Sequence, residues 1–267
     1  MSNNIFIIPI RIASPKLRIF CFPFAGGSST TYMPWLKHFS DEIELVFVQP
    51  PGRGSRMGET PHDNMSDLID ELMLQSSYIT STRYILFGHS LGSRVAYELT
   101  CQLKSARLPL PEHFIASGSR APHLPCDKNQ IYDLPQDEFI KELEKLNGTP
   151  TEILKNLELM NLLTPLLRAD FKIADNYRAN RNLMPFPISI LHGKNDFGIE
   201  LKQAAAWDEL SEQKSELIQL SGDHFFINQN LPDVLEYVSL VANTIIDSEN
   251  ISISNSKTDD KYTSTAI

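Results

Sequence analysis

The sequence predicts an α/β protein with a mostly parallel central sheet and helices on both of its faces. Three observations lead to this fold class. Short apolar runs alternate with helical patterns over most of the chain, Gly or Pro residues stand close to the runs, and the chain is 267 residues long. Strands that alternate with helices run parallel and are covered on both faces. A chain of this length suits one large domain.

Six short runs are predicted to be buried strands. Runs this short fit strand or helix equally well by periodicity, so the neighbouring Gly and Pro residues decide the assignment. The predicted strands are residues 17–22, 43–48, 83–87, 113–116, 187–191 and 215–220.

Helical patterns lie between these runs and after them. The pattern at residues 65–79 carries Leu68, Ile69 and Leu72 on one face of a 3.6-residue repeat. Three more follow predicted strands, at residues 91–103, 201–210 and 232–246.

One long segment interrupts the alternation of strands and helices. Residues 134–177 lack any strand signal and carry three helical patterns, at 136–146, 151–157 and 159–177. A helical insertion between two strands of such a sheet usually covers the carboxyl ends of the strands, where sites form. We therefore expect a lid at about residues 134–180 within a domain of residues 1–247. The polar residues 248–267 are predicted to form a disordered tail.

Composition excludes several classes of function. The net charge of −9 argues against nucleic acid as a partner, because phosphate binding needs clustered Lys and Arg. Three cysteines without a Cys-x-x-Cys pair indicate free thiols in a reducing compartment. No apolar run approaches the ~18 residues of a membrane helix, and no secretory signal is evident. We expect a cytoplasmic protein that binds neither nucleic acid nor membrane.

A Gly-x-Ser-x-Gly pattern identifies the candidate nucleophile. Residues 88–92 read GHSLG, directly after a predicted strand and before a predicted helix. This is the context of the nucleophile elbow of the α/β-hydrolase fold. The turn is so tight that small residues must stand two places before and after the serine, and Gly88 and Gly92 meet that need. The alternative is an ordinary glycine-rich turn. We predict that Ser90 is the nucleophile.

Seven histidines compete to be the base that a serine hydroxyl needs near pH 7. In this fold the chain order is serine, acid, histidine, with the histidine after the last strand. Only His224 fits that order; the side chain of His89, next to Ser90, should leave the elbow in another direction. Asp196 follows the fifth predicted strand and is the predicted acid. Asp223 is adjacent to His224 and therefore poorly placed to reach its ring, and Asp170 and Asp175 lie in the helical insertion.

Acyl transfer also needs two amide donors for the developing oxyanion. One donor should be the backbone N–H of Leu91, directly after the nucleophile. The other should come from the loop after the first predicted strand, residues 22–28, whose glycines let the backbone approach a ligand. Ala25 is the favoured donor there, with Phe24 as the alternative. We expect no metal and no resident cofactor, because the sequence has no closely spaced set of ligands and no phosphate-binding loop.

Beyond the elbow, the chain resembles the type II thioesterases, the stand-alone editing enzymes of nonribosomal peptide and polyketide synthesis. The resemblance extends from about residue 17 to residue 237. It rests on the segments 22–27 (FPFAGG), 51–56 (PGRGSR), 88–98 (GHSLGSRVAYE), 118–122 (GSRAP), 147–150 (NGTP), 163–171 (LTPLLRADF) and 222–226 (GDHFF).

The resemblance implies a substrate and a partner. The substrate would be an acyl group on the phosphopantetheine thiol of an acyl or peptidyl carrier protein, and the reaction would be hydrolysis by a monomeric enzyme. Carrier proteins are commonly acidic, so docking would need a local basic rim despite the negative net charge. The candidates for that rim lie in the shared segments: Arg53, Arg56, Arg120 and Arg168. The alternative is that these arginines are structural and pair with nearby carboxylates.

Other functions remain open from the sequence. The same fold could serve a medium-chain fatty acyl thioesterase or a small-molecule esterase, since thioester and ester hydrolysis use the same groups. A protein of another class, a non-catalytic binding protein on this scaffold, is disfavoured by the complete set of candidate catalytic residues.

Overall fold

The central sheet has seven strands. The computed structural model describes residues 5–126 and 130–259. Within them the strand order is β1-β3-β2-β4-β5-β6-β7, with only β1 antiparallel to its neighbour. The strands are β1 (Phe6–Ile7), β2 (Leu17–Phe22), β3 (Ile43–Val48), β4 (Tyr84–His89), β5 (His113–Ser117), β6 (Ile188–Gly193) and β7 (Glu216–Leu220).

The predicted mostly parallel sheet is confirmed. The predicted bounds of β2 and β3 agree with the structure, and those of β4 to β7 differ by at most two residues at either end. Strand β1 was not predicted, because two residues are too few for a recognisable pattern. It pairs with the edge of β3 through Phe6 and Val48 and through Ile7 and Phe47.

Helices connect the strands and cover the sheet. The α-helices are α1 (Met65–Met73), α2 (Ser76–Ile79), α3 (Leu91–Ser105), α4 (Gln136–Leu146), α5 (Thr151–Leu154), α6 (Leu157–Asn176), α7 (Leu201–Ala205), α8 (Phe226–Gln229) and α9 (Leu231–Asp259). Two predicted helices are divided: residues 65–79 form α1 and α2, and residues 201–210 form α7 followed by a 3-10 helix. A further 3-10 helix, Ser29–Lys37, was not predicted.

The apolar core consists of two layers, one on each face of the sheet. On one face, strand residues such as Phe20 and Leu86 pack with Leu68 of α1 and Val95 of α3. On the other face, the opposite side chains of the same strands pack with Trp35 and with α8 and α9. Because side chains alternate along each strand, every central strand contributes to both layers, which explains why the strands read as continuous apolar runs.

The predicted helical insertion is present as α4, α5 and α6. It has a small apolar core of its own, formed by Phe139, Leu143, Leu154, Met160 and Leu167. Of the other insertion leucines, Leu163 packs against this core, whereas Leu157, Leu159 and Leu162 are exposed.

The C-terminal helix extends further than the sequence predicts. Helix α9 continues to Asp259, so residues 248–259 are helical where a disordered tail is predicted, and residues 260–267 of that tail lie outside the described residues. A helix already anchored on the sheet adds one hydrogen bond for each further residue, which allows this extension. In residues 5–126 and 130–259, the helices contain no stretch of the length and hydrophobicity needed to cross a bilayer.

Candidate active site

The turn between β4 and α3 holds Ser90 in a strained conformation. Its backbone angles are φ 55° and ψ −115°, a region that residues with a side chain rarely occupy. The turn closes because both flanking glycines lack a Cβ atom. A Cβ at Gly88 would collide with the backbone of Gly92 and Ser93, and one at Gly92 with the carbonyl oxygen of Phe22. The predicted elbow geometry is therefore present, and it presents Ser90 at the carboxyl edge of the sheet.

Three side chains from distant segments meet at this edge. The Nε2 atom of His224 lies 3.0 Å from the Oγ atom of Ser90. Its Nδ1 atom lies 2.7 Å from the Oδ2 atom of Asp196. Asp196 follows β6 and His224 follows β7, so the acid and the base come from the ends of neighbouring strands. The structure thus brings together the predicted nucleophile, base and acid.

The environment of Asp196 fixes the tautomer of His224. Burial raises the pKa of Asp196, but hydrogen bonds from His224 and from two backbone amides outweigh it, and the pKa lies below the ordinary value. Those amides are Gly198 N–H at 2.8 Å and Ile199 N–H at 3.0 Å, both on Oδ1. An ionised carboxylate only accepts hydrogen bonds, so Nδ1 of His224 carries the proton. Nε2 is then free to accept the proton of the Ser90 hydroxyl.

Backbone hydrogen bonds hold the acid loop, residues 194–200, against the end of β7 and the histidine loop, residues 221–225. The amide of Lys194 donates to the carbonyl oxygen of Leu220 at 2.8 Å, and the amide of Asn195 donates to that of Gly222 at 2.9 Å. The ring of His192 donates through Nε2 to the carbonyl oxygen of Ile199 at 2.8 Å. Since the loops are joined at several points, the distance between Asp196 and His224 is set by the fold.

The side chain of His89 lies between β5 and the histidine loop and supports that loop. Its side chain turns away from the Ser90 hydroxyl, as predicted. Its Nε2 donates to the backbone carbonyl oxygen of His224 at 2.9 Å, so its Nδ1 accepts from the Ser117 hydroxyl at 2.8 Å. Burial, together with the nearby His224, lowers the pKa of His89 to about 3. The ring is therefore a neutral spacer between β5 and the histidine loop. Gly118 makes room for it, because a Cβ there would press against the ring.

The predicted oxyanion donors lie on adjoining segments. Leu91 is the first residue of α3, where backbone N–H groups have no partner within the helix. The loop after β2 packs directly on this helix end, at the contact between Phe22 and Gly92. The Ala25 amide has no acceptor among the described residues. The assignment of these two amides as oxyanion donors stays a prediction.

The tip of the insertion, residues 147–148, contacts the loop that carries His224. Asn147 donates from Nδ2 to the Oδ2 atom of Asp223 at 3.1 Å, and Gly148 leaves the space that the Phe225 ring occupies. The carboxylate of Asp223 accepts this hydrogen bond and a second one from the backbone amide of Phe225 at 2.7 Å. These contacts agree with the choice of Asp196 over Asp223 as the catalytic acid. The insertion therefore lies over the histidine loop, as expected of a lid.

The structure favours the alternative that the four candidate rim arginines hold the fold together. Arg53 is buried and pairs with Asp170, and Arg56 is buried and pairs with Glu59 and Glu71.

Arg120 is buried and donates to the carbonyl oxygens of Leu124 and Tyr177. Arg168 donates to the carbonyl oxygen of Tyr132 and lies 4.5 Å from the centre of the Phe139 ring. Arg53, Arg56 and Arg120 are therefore too buried to form the expected basic rim. Arg168 is half-buried and its guanidinium group is engaged within the fold.

Three roles near the site were not predicted from the sequence: that of His89 as a support, of Asn147 at the tip of the insertion, and of Asp170 in α6 as a buried partner of Arg53. The sequence does contain an indication of the role of Asp170. It lies on the same helix face as the apolar residues Leu166, Leu167 and Ile173, and a carboxylate on a buried face needs a buried partner. Within residues 5–126 and 130–259, no three His, Cys, Asp or Glu side chains are grouped so that they could hold a metal ion.

Comparison with known proteins gives consistent matches over most of the chain. Residues 17–240 match the family model of the thioesterase domain. The gramicidin S biosynthesis protein GrsT of Aneurinibacillus migulanus is 34% identical over 228 residues, which are 85% of this chain and 89% of that protein.

Two solved structures share the fold at similar identity. ClbQ from the colibactin NRPS/PKS pathway superposes with a TM-score of 0.80 at 31% identity, covering 89% of this chain and 99% of ClbQ. YbtT, a type II thioesterase from the yersiniabactin NRPS/PKS pathway, superposes with a TM-score of 0.77 at 30% identity, covering 88% of this chain and 96% of YbtT.

Proposed function

Because this chain belongs to the thioesterase domain family, we propose that it hydrolyses thioesters that link acyl groups to the phosphopantetheine arm of carrier proteins. We further propose that it acts as an editing enzyme in nonribosomal peptide or polyketide synthesis and removes aberrant or stalled acyl groups. ClbQ and YbtT, whose titles place them in NRPS/PKS pathways, support this assignment, as does GrsT, which is named for gramicidin S biosynthesis.

The observation that carries the proposal is the hydrogen-bonded series of Ser90, His224 and Asp196. The distances of 3.0 Å and 2.7 Å are those at which a hydroxyl can pass its proton to an imidazole oriented by a carboxylate. All proposed site residues belong to one chain, so the proposal requires no second copy.

The reaction would proceed through an acyl-enzyme. The Oγ atom of Ser90 attacks the thioester carbonyl carbon while Nε2 of His224 takes the hydroxyl proton. The amides of Ala25 and Leu91 stabilise the tetrahedral oxyanion. The carbon–sulfur bond then breaks, and His224 gives its proton to the departing thiol.

Hydrolysis of the acyl-enzyme repeats these steps with water. His224 takes a proton from a water molecule, the resulting hydroxide attacks the acyl carbon, and the Ser90 oxygen leaves with the proton held by His224. The phosphopantetheine arm enters as part of the substrate. The proposed chemistry uses no resident cofactor.

The proposal is tested by comparing acetyl- and longer acyl-carrier proteins as substrates. We expect release of the free acid by the native chain and a loss of at least ~10³-fold in Ser90→Ala, because the covalent route is removed. Circular dichroism of Ser90→Ala checks that the fold is retained.

Other outcomes would favour other functions. Turnover of short esters without turnover of any carrier-bound thioester would indicate a small-molecule esterase, and a strong preference for medium-length fatty acyl chains would indicate chain release in fatty-acid synthesis. If an active-site phosphonate failed to label Ser90, a non-catalytic binding role would replace the proposal.

A further inference from the structure

Three segments of the sequence meet at one buried point beside the proposed oxyanion hole. Asp170 of helix α6 accepts a hydrogen bond through Oδ2 from the backbone amide of Gly26 at 2.7 Å. Gly26 directly follows Ala25, the proposed oxyanion donor. A side chain of the lid is therefore bound to the loop that carries that donor.

Arg53 completes the arrangement. Its Nη1 and Nη2 atoms donate to both carboxylate oxygens of Asp170, each at 2.8 Å, and Nη1 also donates to the carbonyl oxygen of Gly27 at 3.1 Å. Arg53 is 4% and Asp170 3% exposed. The amide of Gly26 and the carbonyl of Gly27 are thus both held by one ion pair. We call Arg53 and Asp170 the loop clamp.

The lid also packs closely on this loop at Gly26. Gly26 has φ +77°, in the left-handed region, and a Cβ there would lie 2.6 Å from a methyl carbon of Leu167 on the lid. Leu167 and Asp170 occupy one face of α6, so the lid contacts the Gly26 backbone through both packing and hydrogen bonding. A cavity of about 20 Å³ is lined by both clamp residues and by Leu91, which places the clamp beside the second proposed donor as well.

We propose that Asp170 and Arg53 are positioning residues that hold the Ala25 amide in the orientation required by the oxyanion, so that seating of the lid helix and formation of the oxyanion hole are coupled. This inference rests on the proposed acyl-transfer function. The Gly26 N–H lies in the peptide unit that follows Ala25 and is joined through the Ala25 Cα atom to the unit that carries the Ala25 N–H. Anchoring the first unit therefore restricts the second, and stabilisation by such donors depends steeply on their direction. Movement of α6 away from the body would remove the acceptor of Gly26.

The test is Asp170→Asn, which keeps the shape of the side chain but turns an amide NH₂ toward either Arg53 or Gly26, both of which are donors. With an acyl-carrier thioester we expect kcat to fall by about 10- to 100-fold while KM changes less than about threefold, because a transition-state donor is displaced. The rate at which a fluorophosphonate labels Ser90 should fall in parallel, since phosphonylation also develops negative charge on an oxygen.

A matched control exists at the other edge of the sheet. Glu44 and Arg18 form a buried ion pair at 2.8 Å near the amino end of β3, far along the strands from the carboxyl edge. Glu44→Gln removes the same kind of pair, and we expect its kcat and labelling rate to equal those of the native chain. If Asp170→Asn is not recovered folded, Arg53→Lys takes its place, because lysine keeps the charge but cannot hold Asp170 and Gly27 together.

The outcomes separate the inference from the proposed function. A folded Asp170→Asn or Arg53→Lys protein with native kcat and native labelling rate would overturn the clamp, as would an equal loss in Glu44→Gln. A native chain that hydrolyses no thioester would overturn the proposed function, yet the labelling rates of Ser90 would still test the clamp.

Discussion

His89 shows how a single buried group can serve a site without touching substrate. It contacts Ser117 of β5 on one side and the backbone of His224 on the other. The rings of Phe24 and Phe226 pack edge-on against it. Because these groups exclude water, the protonated ring is less stable here than in solution, and the pKa of His89 is lowered to about 3.

The depressed pKa of His89 has a consequence for stability. The unfolded chain binds a proton at this residue below pH ~6.5, whereas the native chain does so only near pH 3. Between these values the unfolded state holds more protons, so the native state loses stability as the pH falls, by up to ~1.4 kcal/mol per pH unit from this residue.

We therefore expect a shallower pH dependence in His89→Gln. Free energies of unfolding in urea, measured from pH 6.5 to pH 4.5, should fall less steeply in the variant than in the native chain. His113 also has a lowered pKa, about 4, but it is present in both proteins and cancels in the comparison. Parallel curves would contradict the assignment of a neutral buried ring.

Chain order and local pattern sufficed to predict the residues that meet at the site. Ser90 lies in a five-residue pattern, and Asp196 and His224 follow from the order of strands. The partners of Arg53 could not be predicted in the same way, because Asp170 is 117 positions away in the sequence. The pairing of Arg53 with Asp170 depends on how the insertion packs against the rest of the domain, and no local sequence pattern predicts that packing.

Among the elements, the lid is fastened to the body at both sides of the site. Its tip contacts the histidine loop through Asn147 and Gly148. Its long helix contacts the loop after β2 through a hydrogen bond between Asp170 and Gly26. Such attachments gate access to a site only if they open and close together. The tip offers the simpler test, because a single methyl group is enough to disturb it.

Gly148→Ala should loosen the tip of the lid. The added methyl would collide with the Phe225 ring, and such overpacking costs about 1 kcal/mol. This cost would raise the population of the open lid about fivefold. Proteolysis of residues 134–180 should increase by the same factor. Gly58→Ala is the control, since no atom lies within 4 Å of a Cβ placed there. Equal cutting of both variants would show that the tip does not restrain the lid.

The elements also show the limits of local pattern. The insertion was predicted because residues 134–177 carry no strand signal, and α4 has its predicted bounds. Strand β1 was missed because its two residues gain their structure only from the edge of β3. The extension of α9 was missed because its polar residues favour no regular structure by themselves.

At the scale of the whole molecule, charge is the main determinant of long-range association. The net charge is −9, and the arginines in the shared segments are engaged within the fold. An acidic carrier protein would therefore be repelled at distances beyond direct contact.

The rate with a carrier-bound substrate should consequently rise with salt. Increasing the ionic strength from 0.02 M to 0.2 M shortens the screening length to below ~10 Å and weakens the repulsion. We expect kcat/KM for an acyl-carrier protein to increase over this range, and that for a small uncharged thioester to stay constant. A decrease with the carrier substrate would reveal an attractive patch formed by other residues.

The double fastening of the lid also limits how this protein can be recombined with its relatives. A chimaera that receives residues 134–180 from a homologue inherits a new partner for Arg53 and a new neighbour for Phe225, while the loops beneath stay those of the host. Lid grafts intended to alter acyl preference should therefore exchange residues 22–27, 51–56 and 222–226 as one unit with the insertion. A graft of the insertion alone is expected to give a folded hybrid with a poorly aligned site.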